Sequence, residues 1–505
     1  MKASYQAILT GLLSLMGGAV NAETTGPPNI VLIYADDMGY GDVQTLNPER
    51  GKIPTPHLDE LAEEGMIFTD AHTTSSVCTP SRYSLLTGRY NWRTSLQKSV
   101  LWGYSQPMIS ADTLTLGQLL QENGYDTAMI GKWHLGMDIP TLDGQPIKDV
   151  RRLPKTSIDW DGEIKEGPTA RGFDYFFGIS ASLDMAPYVY IENEKFLGEV
   201  DNNAPEEPAD GFARIAVLDE LGERSADYVK AREGDKPFFL YVPLTSPHTP
   251  ILPTKEWQGR SGINKYADFQ MQTDAVIGQI VDAVDEAGFG ENTLIIVSSD
   301  NGCSKAAKFR ELEAAGHYAS AQYRGSKADL WEGGHRVPFL VRWPAQVKAG
   351  SQSDETICLT DCLATFAELV DFEIPADEGE DSVSFLPALR GEAIDSARKG
   401  IVHHSISGHF GYRMGDWKLL LAKGSGGWTR PTEKDLANKE EVPKGQLYNL
   451  AEDPGEENNL FEEKPEIVSK LLAQLKEDIA KGRSTPGPQQ DNDIPVSEIR
   501  LWKNK

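Results

Sequence analysis

Short runs of consecutive apolar residues alternate along this chain with longer segments whose apolar positions recur every three or four residues. The first pattern fits strands buried on both faces, the second amphipathic helices. Residues 29–35, 125–130, 237–242 and 293–297 are the strand runs. Residues 55–65 carry Leu58, Leu61 and Ala62 at helical spacing and end at Gly65. Residues 113–123 carry Leu116, Leu119 and Leu120, and residues 266–286 carry Val276, Ile277, Ile280 and Val281. Such alternation predicts an α/β fold, a large mixed, mainly parallel sheet flanked by helices. Residues 356–370 read as a further helix. Residues 138–210 lack periodicity and are rich in Pro, Asp and Gly, which predicts long loops that shape access to a rigid sheet. After the acidic, Pro-containing stretch 371–398 the pattern shortens. Residues 401–405, 412–421 and 446–450 read as short strands with turns at Gly415-Asp416 and Gly424. Residues 464–481 read as a helix through Ile467, Leu471, Leu472, Leu475 and Ile479. A main α/β domain over 23–398 and a smaller C-terminal unit over 399–505, an antiparallel sheet with one helix, follow. The tail from Ser484 is expected to be disordered in part or to lie over the main domain.

The polar residues fall at telling places. Asp36-Asp37 follows the first strand run, Gly131-Lys132-Trp133-His134 the second, Ser246-Pro247-His248 the third and Asp300-Asn301-Gly302 the fourth. In open parallel sheets the C-terminal strand edge is where ligands bind, so these distant residues are expected to converge. Asp36, Asp37, Asp300 and Asn301 offer only oxygen, which suits a hard cation, Ca²⁺ or Mg²⁺, rather than Zn²⁺. Taken singly, Asp-Asp after a strand or Asp-Asn-Gly is an ordinary turn; together they read as a site.

Cys78-Thr79-Pro80-Ser81-Arg82 reads as a cysteine at the mouth of a helix. Pro80 suits a first turn, Ser75, Ser76 or Thr79 can cap it, Leu85 and Leu86 face inward, and Gly88 can close the far end. First-turn N–H groups and the helix dipole favour an anion there. Arg82, one turn on, adds positive charge on the same face. An isolated cysteine in such a place is ordinarily core packing.

Composition narrows the classes. The 505 residues are ample for a large core, and 39% apolar content is that of a folded chain. With 49 basic against 76 acidic residues the net charge is −27, which excludes a nucleic-acid footprint. An anionic substrate must therefore meet a local basic pocket. Lys2, the apolar run 7–20 and the small residues around Val20-Asn21-Ala22 read as a signal peptide over 1–22. That run is too short to span a membrane, no cysteine follows it directly for a lipid anchor, and no other segment has spanning length. A periplasmic or secreted protein is expected. Of the four cysteines, Cys78, Cys303, Cys358 and Cys362, the last two are four apart without the His or second pair that would complete a metal site, and read as core.

The run from Cys78 through Leu86-Thr87-Gly88 resembles the signature of the formylglycine-dependent sulfatases, members of the alkaline phosphatase-like superfamily. Gly131-Lys132-Trp133-His134-Leu135-Gly136, His248 and Lys327 in Gly325-Ser326-Lys327 are similar to further positions of that family, and the likeness spans roughly residues 27–460. The motif context, including residues 172–178, looks closest to arylsulfatases and hexosamine 6-sulfatases. His335 departs from the aliphatic or Met residue of many relatives. The resemblance implies that a formylglycine-generating or sulfatase-maturating enzyme oxidises Cys78 to an aldehyde whose hydrate is the nucleophile. It implies a calcium site of Asp36, Asp37, Asp300, Asn301 and the modified Cys78. It implies charge neutralisation by Arg82, Lys132 and Lys327, leaving-group protonation by His248 together with Lys327, and proton removal by His134 when sulfate departs. Lys132, His248 and Lys327 would also bind the substrate, a sulfated carbohydrate with galactose or N-acetylgalactosamine favoured. The alternatives are a phosphonate or phosphodiester hydrolase of the same superfamily, and a sulfated-glycan binding protein should Cys78 stay unmodified.

Overall fold

A computed structural model describes residues 26–148, 158–201, 204, 207–234 and 236–496. The signal peptide read over 1–22 lies outside the described residues. Ten strands form one sheet in the order Ser351–Ser353, Met66–Phe68, Phe339–Arg342, Thr293–Ser299, Asn29–Asp36, Phe238–Pro247, Asp126–Lys132, Tyr175–Ile179, Tyr190–Glu192, Lys195–Leu197. The five strands from Thr293–Ser299 to Tyr175–Ile179 run parallel, so their C-terminal ends share one edge.

Period-two alternation divides the central strand between two cores. Ile30, Leu32 and Tyr34 pack on one face with Leu85, Leu86, Leu116, Leu119 and Phe366. Val31, Ile33 and Ala35 pack on the other with Leu58, Leu61, Leu221, Ile277 and Ile280. Helices Cys78–Thr87, Leu116–Glu122 and Cys362–Leu369 thus cover the first face, and Pro56–Glu64, Val217–Lys230 and Lys265–Glu286 the second.

Two stretches differ from their sequence pattern. Within 138–210, expected as loops, Tyr175–Ile179 joins the parallel sheet, and two short strands continue it as a hairpin. Five residues between Asp and Ser are too few to show a period, yet Phe176 and Phe177 are both fully buried, one in each core. Within 356–370, Ile357–Cys358 pairs with Ala71–His72 before helix Cys362–Leu369 begins. The Asp361 carboxylate accepts the Cys358 N–H at 2.9 Å and sets that turn.

The four-stranded antiparallel sheet of Ile401–His404, Phe410–Met414, Trp417–Leu420 and Gln446–Asn449 receives helix Pro465–Lys481. Leu471 and Leu475 pack there on Phe410, Tyr412 and Leu447, together with Tyr90 and Trp92. Glu332, Lys418 and Glu456, all wholly buried, join this sheet to the main one: Lys418 donates to Glu332 at 2.9 Å and to Glu456 at 2.8 Å. His335 lies in the same junction, stacked on His403 at 3.8 Å, away from any ligand edge. All four cysteines are buried and unpaired. Among the described residues no helix is long and apolar enough to cross a membrane.

The tail lies over the main domain. Ser484 N donates to Asp381 Oδ1 at 3.0 Å and Asp493 N to Arg93 O at 2.9 Å. Beneath it Arg93 forks onto Asp381 through Nε at 2.8 Å and Nη2 at 2.7 Å, with neither side chain exposed. Removing one partner of a buried pair strands the other charge, so Asp381→Ala is expected to cost about 3 kcal/mol of folding stability. A lower urea midpoint at unchanged slope measures it; an unchanged midpoint refutes the role.

Candidate active site

The helix begins at Cys78 itself, after Val77 in extended conformation, and no side chain caps it. Of the residues expected to cap, Thr79 accepts the Leu101 N–H and Ser76 Oγ donates to His404 O at 3.4 Å, while the buried Ser75 hydroxyl has no hydrogen-bond partner among the described residues. Gly88 closes the helix at φ 64, as its position suggests. A Cβ there would lie 2.7 Å from Leu363.

Strand ends deliver the carboxylates. Asp36, Asp37 and Asp300 are all but fully buried, and one oxygen from each lies within 4.8 Å of the others. Three cations answer them. Lys132 Nζ reaches Asp36 Oδ2 at 2.5 Å, and Lys327 Nζ reaches Asp37 Oδ1 at 2.5 Å. Arg82 forks onto Asp300 Oδ2 at 2.7 and 3.1 Å and approaches Asp36 at 3.7 Å. The Arg82 guanidinium is wholly buried and is spent on these carboxylates. Asn301 Nδ2 donates to Asp37 Oδ1 at 2.7 Å, which leaves its carbonyl oxygen free.

These oxygens fit a hard cation. Asp36 Oδ1 and Asn301 Oδ1 are buried without a hydrogen-bond partner among the described residues. Buried acceptors are almost always satisfied. A small cation among Asp36, Asp37, Asp300 and Asn301 satisfies both with an all-oxygen set.

Cys78 sits above this cluster, its sulfur 3.7 Å from Lys327 Nζ. Burial opposes ionisation of the thiol, but Lys132 and Lys327 outweigh it and bring the pKa down to about 5. Two histidines flank the sulfur. His134 Nε2 lies 2.9 Å from Leu101 O, a pure acceptor, so Nε2 carries the proton and Nδ1 presents a lone pair toward Cys78. Burial and then Lys132 hold this imidazole neutral, with a pKa lowered to about 4. His248 Nδ1 donates to Thr249 O at 2.6 Å, and Nε2 lies 3.8 Å from Asp37. Burial and Lys327 oppose its charge, yet Asp36 and Asp37 raise its pKa to about 9. The site thus holds one neutral and one protonated imidazole beside the same atom.

The structure brings together all ten residues singled out in the sequence. It adds a layer behind Asp37 that no motif announced. Asp37 has φ 69, uncommon for a residue with a side chain. Its N–H goes to Asp300 Oδ1 at 3.2 Å, and its carbonyl lies 3.3 Å from the Tyr266 hydroxyl oxygen. The single Tyr266 hydroxyl proton goes to Asp42 at 2.5 Å, and His317 Nε2 holds the other Asp42 oxygen at 2.8 Å. Ser299 Oγ accepts the Met38 N–H at 3.0 Å.

Known proteins resemble this chain in sequence and fold. The family model described as Sulfatase matches residues 28–372, and one described as N-sulphoglucosamine sulphohydrolase, C-terminal, matches 326–485. An N-acetylgalactosamine-6-O-sulfatase of Bacteroides thetaiotaomicron is 31% identical over 501 residues, 89% of this chain and 93% of that protein. Arylsulfatase G of Rattus norvegicus is 30% identical over 524 residues, 95% of this chain and 92% of its own. A solved structure from work on the metabolism of multiple glycosaminoglycans by Bacteroides thetaiotaomicron superposes with TM-score 0.76 at 30% identity. That superposition covers 89% of this chain and 99% of the other. On the family match, and on relatives that align over nearly its whole length, the chain belongs to the sulfatase family and is a sulfuric ester hydrolase.

Proposed function

We propose that this chain is an exported sulfatase that removes sulfate from sulfated oligo- or polysaccharides, with galactose- or N-acetylgalactosamine-type sugars favoured. It acts through formylglycine made from Cys78 and a Ca²⁺ or Mg²⁺ ion held by Asp36, Asp37, Asp300 and Asn301. The observation that carries the reading is Cys78 at a helix start, within reach of two lysines, two histidines of opposite charge state and an all-oxygen cluster. The name of the Bacteroides relative supports the sugar, and the apolar leader supports export.

The aldehyde hydrate would supply the nucleophilic hydroxyl, and the cation would lower the charge barrier at the sulfate. The chain's own residues do the rest. Lys132 and Lys327 bind sulfate oxygens once a cation takes over part of their work on Asp36 and Asp37. Arg82 keeps Asp300 in place. His248, protonated, holds the proton that the leaving alcohol needs; His134, neutral with its lone pair toward position 78, accepts a proton when sulfate is released. Thr249 O and Leu101 O fix the two tautomers.

Each part of this reading is open to test. Chelation abolishes sulfate release and Ca²⁺ or Mg²⁺ restores it, whereas restoration by Zn²⁺ alone overturns the hard-cation site. Tyr266→Phe weakens Ca²⁺ binding about tenfold in a calorimetric titration, the loss of the hydrogen bond that holds Asp42 behind the Asp37 turn; unchanged affinity denies Tyr266 that positioning role.

The Cys78 peptide of active enzyme is about 18 Da lighter than its thiol form, since the thiol has left the first rung of its oxidation chemistry for an aldehyde. Cys78→Ser retains substrate binding but not turnover. Full multiple turnover by an unmodified thiol would falsify the mechanism.

His248→Ala slows release of a sugar alcohol far more than of an activated phenol, which needs little protonation. His134→Ala leaves sulfate covalently attached, visible by mass spectrometry. Equal losses on both substrate types, with no attached sulfate, refute the division of labour.

A further inference from the structure

Among the described residues three large apolar side chains stand exposed, Leu142, Ile215 and Trp428, and only Trp428 is aromatic, at 38% exposure. It lies on the loop that leaves strand Trp417–Leu420 of the small sheet. That loop is fastened to the segment carrying Lys327. Asp329, wholly buried, accepts the N–H groups of Trp428 at 2.8 Å and Thr429 at 3.0 Å. The Ser326 and Thr429 hydroxyls lie 3.1 Å apart, and Leu330 N donates to Ser425 O at 2.8 Å. Gly427 approaches Ala328 so closely that a Cβ would sit 2.1 Å from its carbonyl oxygen.

A second segment comes from the cation ligands. Four residues beyond Asn301, the exposed Lys305 places Nζ 4.9 Å from the Trp428 ring centre. Cys303 O between them accepts the Lys327 N–H at 2.9 Å. Both segments that leave the catalytic residues therefore meet at this indole. Arg430, with 86% of its side chain exposed, lies two residues on. A groove of about 660 Å³ adjoins, lined by Ser326, Thr429, Arg50, Tyr318 and Arg324 among others.

A backbone pinned by a buried carboxylate, bearing an indole left in water, gains nothing from apolar burial. It does present a rigid flat apolar surface at little entropic cost. Lys305 opposes the sign of a chain of net charge −27 and offers the patch a cation, while Arg430 lies 3.9 Å from Asp435. We propose that Trp428 and Lys305 form a subsite for a second, anionic sugar of the substrate. The C–H face of its pyranose stacks on the indole, and its carboxylate or sulfate pairs with Lys305. The inference rests on the sulfated-saccharide reading above and adds that the enzyme engages more than the sugar it desulfates.

The probes are a 6-sulfated N-acetylgalactosamine–uronate tetrasaccharide, its carboxyl-reduced form and N-acetylgalactosamine 6-sulfate. Binding is titrated in a Cys78→Ser background, where no sulfate is released, with melting temperatures confirming the fold. Trp428→Ala is expected to weaken the tetrasaccharide about tenfold more than the monosaccharide, the scale of one aromatic stacking contact, with Trp428→Phe retaining most of the affinity. Lys305→Ala is expected to weaken the uronate tetrasaccharide about fivefold. A smaller loss on the carboxyl-reduced form assigns the anion to carboxylate, and an equal loss assigns it to sulfate. A tetrasaccharide that binds wild type no tighter than the monosaccharide, or a Trp428→Ala loss equal on both, overturns the subsite. Hydrolysis of 4-nitrophenyl sulfate by the cysteine-modified enzyme separates the two readings. If it proceeds while the subsite fails, only the subsite is wrong; if no sulfate ester is cleaved, the proposed function fails.

Discussion

Three carboxylates buried within reach of one another are the constraint around which this molecule is arranged. Two like charges about 4 Å apart at an effective dielectric near 20 repel by about 4 kcal/mol, and their burial keeps bulk solvent from screening them. The chain answers with cations from three remote segments: Arg82 on a helix, Lys132 at a strand end and Lys327 on a loop. None can be lost without stranding a buried carboxylate. The catalytic edge and the stability of the sheet centre are thus the same problem, and the parallel sheet solves it by bringing its strand ends to one place.

The neighbours of each group then decide its charge state. His134 and His248 are the same residue type and both are buried, and burial pushes each toward neutrality. Lys132 deepens that effect at His134, while Asp36 and Asp37 reverse it at His248. Environments that drive two identical groups apart in pKa assign acid and base without further machinery. A cation on Asp36 and Asp37 withdraws part of their support from His248. The tautomer is untouched by it, because Thr249 O holds the Nδ1 proton.

Most of the candidate residues were legible in the sequence because Asp36, Asp37, Lys132, His134, His248, Asp300 and Asn301 lie at the ends of apolar strand runs and Cys78 opens a helix, whereas Lys327, on a loop, is reached only through the family resemblance. The layer behind them was not legible. Tyr266 and His317 reach Asp42 from 224 and 275 positions away and follow no motif of their own. Strand Tyr175–Ile179 escaped because five residues cannot display a period. Sequence spacing tells which face of a helix Arg82 takes but not the carboxylates it meets there, Asp300 and Asp36.

The small C-terminal sheet is more than an appendage to this edge. Lys418 and Glu456 lock it to Glu332 in a junction closed to water. Removing the sheet would leave Glu332 without Lys418 and Asp70 without Arg413. Its loop fixes the segment carrying Lys327 through Ser425 and through the Gly427–Ala328 contact, which leaves no room for a side chain. Lys327 in turn neutralises Asp37 and faces Cys78. The position of a catalytic-edge ammonium is therefore set from both sheets at once, and the large sheet alone would supply the carboxylates without the means to hold one of their counterions in place.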